Sequence, residues 1–175
     1  TVWDHSRKKK HSMAGSAVYP KVAVIDPALT DNLPQDTTLF TGLDAINQAV
    51  ESIWNNNATS VSILYATRAI KLGLKSLPNL VNGKGDAIAR DDMAESSLLA
   101  GLAISQTKTA LCHSISYVLT AHFSVPHGLA CAFTMPAVLK GNMTADDGRI
   151  KELERELNTN DILQLFVEFN KRMRV

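Results

Sequence analysis

At 175 residues, with 45% hydrophobic and 20% charged side chains, the chain is long enough to bury one substantial core. A formal net charge of +1 excludes the strongly basic character of a nucleic-acid binder and gives no reason to expect a membrane surface or polyanion as partner. Two cysteines, Cys112 and Cys131, make no disulfide framework and suit a reducing cytoplasm, and no run approaches the roughly 18 apolar residues that span a bilayer.

The N-terminal Thr1-Val2-Trp3-Asp4-His5 lacks a charged leader followed by an apolar run, so no signal peptide is expected. Val2-Trp3 and Ser16–Ile25 read as strands, the latter through Val18, Tyr19, Val22, Val24 and Ile25. Pro20 within it favours an edge or an irregular start. Between them lies a hairpin or a loop, and its basic run Arg7-Lys8-Lys9-Lys10 reads as a solvated turn. Pro27, Asn32 and Pro34 mark 26–36 as loop.

From Thr41 onward the pattern is helical. Leu43, Ile46, Val50 and Ile53 form an amphipathic stripe over Thr41–Trp54. A second helix is expected from Ala58 to about Leu77, stopped by Pro78, and Asn82-Gly83-Lys84-Gly85 is a turn. A long helix follows from Asp86 to about Thr107; its small residues Ala94, Ser96, Ala100, Gly101 and Ala103 predict a central, buried position. Shorter helices are expected over Ala110–Phe123 and from His127 to about Leu139, then over Thr144–Leu157 and Asp161–Arg172. The reading is one mainly α domain, a helical bundle with a small N-terminal β element.

Polar residues on apolar helices are the informative exceptions, because burial costs free energy unless they are paired or ligate something. Asp44 and Gln48 stand four apart and share a helix face. His113 interrupts the apolar run Ala110–Ile115, and His127 follows a proline, with Gly128 removing bulk beside it. Together the four side chains offer a plausible donor set for a divalent first-row metal. Taken singly, each has a plainer explanation as a hydrogen-bonded core residue or a helix N-terminal charge. A zinc site built from Cys112, Cys131 and the histidines is the alternative. There Cys112 and His113 are adjacent, hence about 100° apart on a helix, whereas Cys131 lies four past His127 and could face the same way.

The string Ile25-Asp26-Pro27-Ala28-Leu29-Thr30, then Leu33-Pro34, Thr41–Ser52, His113 and Pro126-His127-Gly128 resembles the iron-containing (group III) alcohol dehydrogenase family over essentially the whole chain. The resemblance implies the C-terminal, helical half of a dehydroquinate synthase-like fold. It implies a divalent metal, Fe2+ or Zn2+, on Asp44, Gln48, His113 and His127. Gln48 departs from the family's commoner histidine, so weaker binding is expected. Tyr117 replaces another frequent histidine and would contact substrate or simply pack, whereas His122 lies across the helix from His113 and is expected outside the site.

The implied reaction is hydride transfer between NAD(P)H and a small aldehyde. Thr1–Asp4, Gln48 and Glu51–Asn55 are similar to the phosphonoacetaldehyde-reducing branch; a sugar-acid or other small aldehyde stays open. No glycine-rich strand–turn–helix for a dinucleotide is present, since Gly83-Lys84-Gly85 follows no strand. Residues 1–30 are therefore read as a remnant of the cofactor-binding half and 31–175 as the metal-binding domain, C-terminally incomplete. Such a fragment would be inactive alone, and its bare cleft face predicts a homo-oligomer. A non-catalytic module that self-associates or binds a partner is the competing reading.

Overall fold

The computed structural model describes residues 2–4, 6–13 and 15–175, with the Trp3 side chain left aside. Thr1, which contributes to the branch resemblance, lies outside the described residues. Strand β1 (Val2–Asp4) pairs antiparallel with β2 (Lys9–His11), with Trp3 opposite Lys10. Seven helices follow: α1 (Gln35–Trp54), α2 (Ser60–Val81), α3 (Ala87–Thr107), α4 (Leu111–Phe123), α5 (His127–Met143), α6 (Arg149–Glu156) and α7 (Ile162–Met173).

The helix starts follow from capping chemistry. Thr59 and Ser62 exchange side-chain-to-backbone hydrogen bonds at 3.1 and 2.9 Å to open α2. Asp86 accepts from the Ala89 N–H at 2.9 Å, and Asp161 from Gln164 at 2.8 Å, at the heads of α3 and α7. Pro34 and Pro126 precede α1 and α5, where a missing N–H costs nothing.

The central helix is α1, not α3. Leu43, Ile46, Val50 and Ile53 of α1 are buried against Ala66, Ile70 and Leu77 of α2, Met135 and Leu139 of α5 and Phe166 of α7. Two glycines let α1 and α2 approach closely: a Cβ on Gly73 would meet Ile46, and one on Gly42 would meet Leu77. At the C-terminus of α1, the Arg149 guanidinium donates to the Ile53 and Asn55 carbonyls at 2.9 and 2.7 Å, a favourable cation at the negative end of the helix. The small residues of α3 instead bury a single strip, Ala89, Ser96, Ala100, Ala103 and Thr107, while Ile88 stays exposed and nothing approaches Gly101. Small side chains permitted close packing on one side without requiring it all round.

Three further expectations are corrected. The segment Ser16–Ile25 is not a strand: Ser16–Val18 is a 3-10 turn and the chain beyond bends at Tyr19 and Lys21 and joins no ladder. Its β propensity is unmet because Pro20 lacks an N–H and Val22 and Val24 are 76% and 85% exposed. Pro78 does not stop α2 but lies inside its last turn. The penultimate helix is shorter than Thr144–Leu157, since Asp146 draws the Ile150 N–H at 2.9 Å and Gly148 adopts φ 105° at the start of α6.

Pro136 sits inside α5, and the proline there deprives the Ala132 carbonyl, one turn back, of its helical partner. Asn170 of α7 supplies the bond, its side-chain nitrogen donating to Ala132 O at 2.6 Å. No helix is long and apolar enough to cross a membrane among the described residues.

Candidate metal centre

Helices α1, α4 and α5 each send polar side chains to one point. Asp44 on α1, His113 on α4, and His127 and Cys131 on α5 bring their donor atoms within 4.8 Å of one another. His113 Nε2 stands 3.2 Å from Asp44 Oδ1, and His127 Nε2 stands 3.7 Å from the same oxygen. Gln48 meets this group through Asp44, its amide nitrogen donating to Oδ2 at 3.0 Å. The predicted Asp44, Gln48, His113 and His127 are therefore gathered together. His122 is exposed and apart from the cluster, and Cys112 is buried but outside it.

Glu51, seven residues after Asp44 on α1, is fully buried. Its carboxylate accepts from the Cys112 N–H at 2.6 Å and the Ala110 N–H at 2.9 Å, and lies 2.6 Å from His113 Nδ1. That carboxylate fixes the imidazole with Nδ1–H toward Glu51 and Nε2 toward the cluster, the arrangement that orients a ligating histidine. Ser116 does the same for His127. With its hydroxyl proton donated to the His113 carbonyl at 2.7 Å, Ser116 Oγ accepts from His127 Nδ1 at 3.1 Å, which leaves Nε2 facing Asp44.

Electrostatics agree with geometry. Burial alone would strip the proton from His113, yet Asp44, the Cys131 thiol and Glu51 outweigh it and hold the pKa well above the ordinary imidazole value. Burial alone would keep Glu51 protonated, but His113 and the two backbone N–H groups hold its pKa below the carboxylate norm. His127 is lowered, chiefly by burial; Asp44 opposes this and His113 and Lys10 add to it. The two flanking carboxylates thus favour a proton on each nitrogen of the His113 ring. A cation between Nε2 and Asp44 would replace that second proton, so the donor chemistry fits a divalent metal.

The mouth of the site is built by residues with less signal in the sequence. The Tyr117 ring stacks on His127, centroids 5.8 Å apart and planes 10° apart. Lys10 is not a solvated turn residue: it is half-buried on β2, and its ammonium lies 3.5 Å from the centre of the Tyr117 ring. A cleft of about 810 Å³ lies elsewhere, between the 19–33 segment and α1 and α3; it is mainly apolar and holds none of the cluster residues.

The sequence model described as "Fe-containing alcohol dehydrogenase family, C-terminal" matches residues 38–173. The chain belongs to this family. It is 36% identical over 151 residues to the probable alcohol dehydrogenase EutG of Escherichia coli, covering 86% of this chain and 38% of that protein. It is 35% identical over 149 residues to phosphonoacetaldehyde reductase of Streptomyces viridochromogenes, covering 85% and 38%. Among solved structures, sulfoacetaldehyde reductase from Bifidobacterium kashiwanohense in complex with NAD+ superposes with a TM-score of 0.92 at 31% identity, over 98% of this chain and 46% of that one. The mainly α fold and the family resemblance are both met, and the chain spans less than half the length of these relatives.

Proposed function

We propose that this chain supplies the metal-holding part of an NAD(P)-linked alcohol dehydrogenase or aldehyde reductase. The observation that carries the reading is the convergence of Asp44, His113 and His127 from three helices on a point small enough for one ion. A divalent metal bound there, ferrous iron or zinc, supplies Lewis acidity toward a carbonyl or alkoxide oxygen, an effect worth several kcal/mol. Asp44 offsets part of the ion's charge, the two imidazoles fix its position, and Glu51 and Ser116 hold the imidazoles. The dinucleotide is assigned to polypeptide equivalent to the remainder of the relatives, since the described residues form only a two-stranded sheet. In this reading residues 1–30 lead in from that part and 31–175 form the metal-binding domain.

Calorimetric titration of the chain with ferrous iron and zinc tests the site. One ion per chain is expected, lost in Asp44→Ala and in His127→Ala. Affinity should rise with pH, by about tenfold per unit for each proton displaced, because His113 must surrender its Nε2 proton. The sign for the metal-free chain is opposite. A pKa raised on folding contributes stability that is complete below the ordinary imidazole range and is lost as pH rises through the raised value. Absence of binding in every form would leave the non-catalytic module as the better reading.

We further propose that the aldehyde carries an anionic group, received by Lys10 with Tyr117 against the reacting carbonyl. The ammonium on the Tyr117 ring and the ring on His127 support this, as do relatives named for phosphonoacetaldehyde and sulfoacetaldehyde. In the domain joined to a nucleotide-binding half, Lys10→Ala should raise KM for such an aldehyde about tenfold, roughly 1.4 kcal/mol, and leave acetaldehyde unchanged. An equal loss on both substrates would count against it. A cytoplasmic setting suits the two free, buried cysteines. The apolar side chains bare at Val22, Val24 and Leu29 support a homo-oligomer, which sedimentation equilibrium would show as a mass above that of one chain.

A further inference from the structure

His127 and Cys131 stand one helical turn apart on α5, so both side chains leave the helix on the same face. The Cys131 sulfur lies within 4.8 Å of donor atoms on Asp44, His113 and His127, and the residue is fully buried. Gln48 is related to the cluster in a different way: its amide nitrogen is spent on Asp44 Oδ2. Resting on the metal reading above, we propose that Cys131, not Gln48, is the fourth donor, so that the ion is held by one carboxylate, two imidazoles and one thiolate. Gln48 is then a positioning residue that holds the second oxygen of Asp44.

The chemistry of the donors supports this division. Zinc–sulfur and zinc–nitrogen bonds of about 2.3 and 2.0–2.1 Å place tetrahedral ligands roughly 3.5 Å apart, and a cluster already confined to 4.8 Å needs only side-chain adjustment to reach it. The fully buried sulfur approaches from the closed side, while Asp44 and His127, at 26% and 28% side-chain exposure, flank the open one. Cys112 lies outside the cluster; it is adjacent to His113 and so about 100° away from it around α4. As the sulfur–metal bond forms, the thiol proton passes to buffer and no oxidation state changes. A thiolate also moves the preference of the site toward zinc and cobalt, relative to the carboxylate, amide and imidazole set.

Titration of the chain with Co2+, followed by absorption, tests this directly. Visible d–d bands together with an intense near-ultraviolet sulfur-to-cobalt charge-transfer band are expected. The charge-transfer band should vanish in Cys131→Ser and persist in Cys112→Ser and Gln48→Ala. Zinc affinity of Cys131→Ser should fall by at least the roughly 10–100-fold that loss of an outer partner costs. Cobalt d–d bands without charge transfer, or a charge-transfer band that survives Cys131→Ser, would overturn the role of Cys131 and leave the metal site standing. No cobalt spectrum at all would overturn both. If Cys131→Ser fails to fold, the parent, Cys112→Ser and Gln48→Ala spectra still decide.

Discussion

Gly128→Ala should weaken zinc binding by about 100-fold or more and lower stability by about 1–3 kcal/mol. A Cβ at this position would overlap the Phe40 carbonyl oxygen and stand 3.0 Å from the backbone nitrogen of Asp44. Both obstacles are backbone atoms of α1, held within a helix, and cannot turn aside as a side chain can. The first turn of α5 must therefore back away from α1. His127 is the preceding residue and Asp44 is itself one of the obstacles, so the added distance falls between two donors of the cluster. Metal–ligand distances tolerate only about ±0.2 Å. Gly101→Ala is the matched control, since nothing lies within 4 Å of its Cβ position and alanine in a helix is worth up to about 1 kcal/mol over glycine. Thermal unfolding and calorimetry of both variants decide the matter: a Gly128→Ala protein that binds zinc like the parent would refute this account of the helix crossing.

The second large effect is expected at Glu51. Its removal in Glu51→Ala strands the Ala110 and Cys112 N–H groups in the interior and leaves the His113 ring without its anchor. Breaking such a buried charged set costs about 3–5 kcal/mol, on the order of 10 °C in Tm for a chain this size. Glu51→Gln restores the volume but not the pattern, because whichever way the amide turns, its NH2 meets an N–H donor. It should be intermediate in stability and bind metal roughly 10–100-fold more weakly, since a neutral amide supports the imidazole less. The pH dependence has a definite sign. A carboxyl whose pKa is depressed on folding contributes stability above its ordinary range, lost as pH falls through the depressed value, so the gap between parent and variant should narrow in acid. A Glu51→Ala chain that melts within a degree of the parent at neutral pH would show the network to be incidental.

The helices from α1 onward were legible because apolar residues recur at 3.6-residue spacing, and the Asn82-Gly83-Lys84-Gly85 turn falls at the end of α2. The pairing of Asp44 with Gln48, and the two histidines, were legible as polar intrusions on apolar faces. Glu51 carried the same signal, seven residues after Asp44 and so on nearly the same face, yet a donor three positions from a presumed ligand reads as a surface acid until its burial is known. Cys131 shared a face with His127 in the sequence. Its approach to Asp44 and His113 depends on how closely α5 crosses α1, which local spacing does not encode. Lys10 had no signal at all, since hairpin register decides which member of a basic run turns inward. The misread strand at Ser16–Ile25 shows the opposite failure: propensity without a neighbouring strand leaves a turn and irregular chain.

The donor set is spread widely along the chain, with Asp44 and His113 69 positions apart and the whole α2–α3 pair looped out between them. In a zinc knuckle, neighbouring residues grip the ion and organise a few turns of chain around it. Here no short stretch retains the site once the packing of α1 against α4 and α5 is lost. An ion held at this point is coupled to the global unfolding equilibrium, adding RT ln(1 + [ion]/Kd) to it, and so acts as a clasp on the entire bundle. Because such distant contacts form only after long loops have closed, the clasp shuts at the end of folding and cannot guide its beginning.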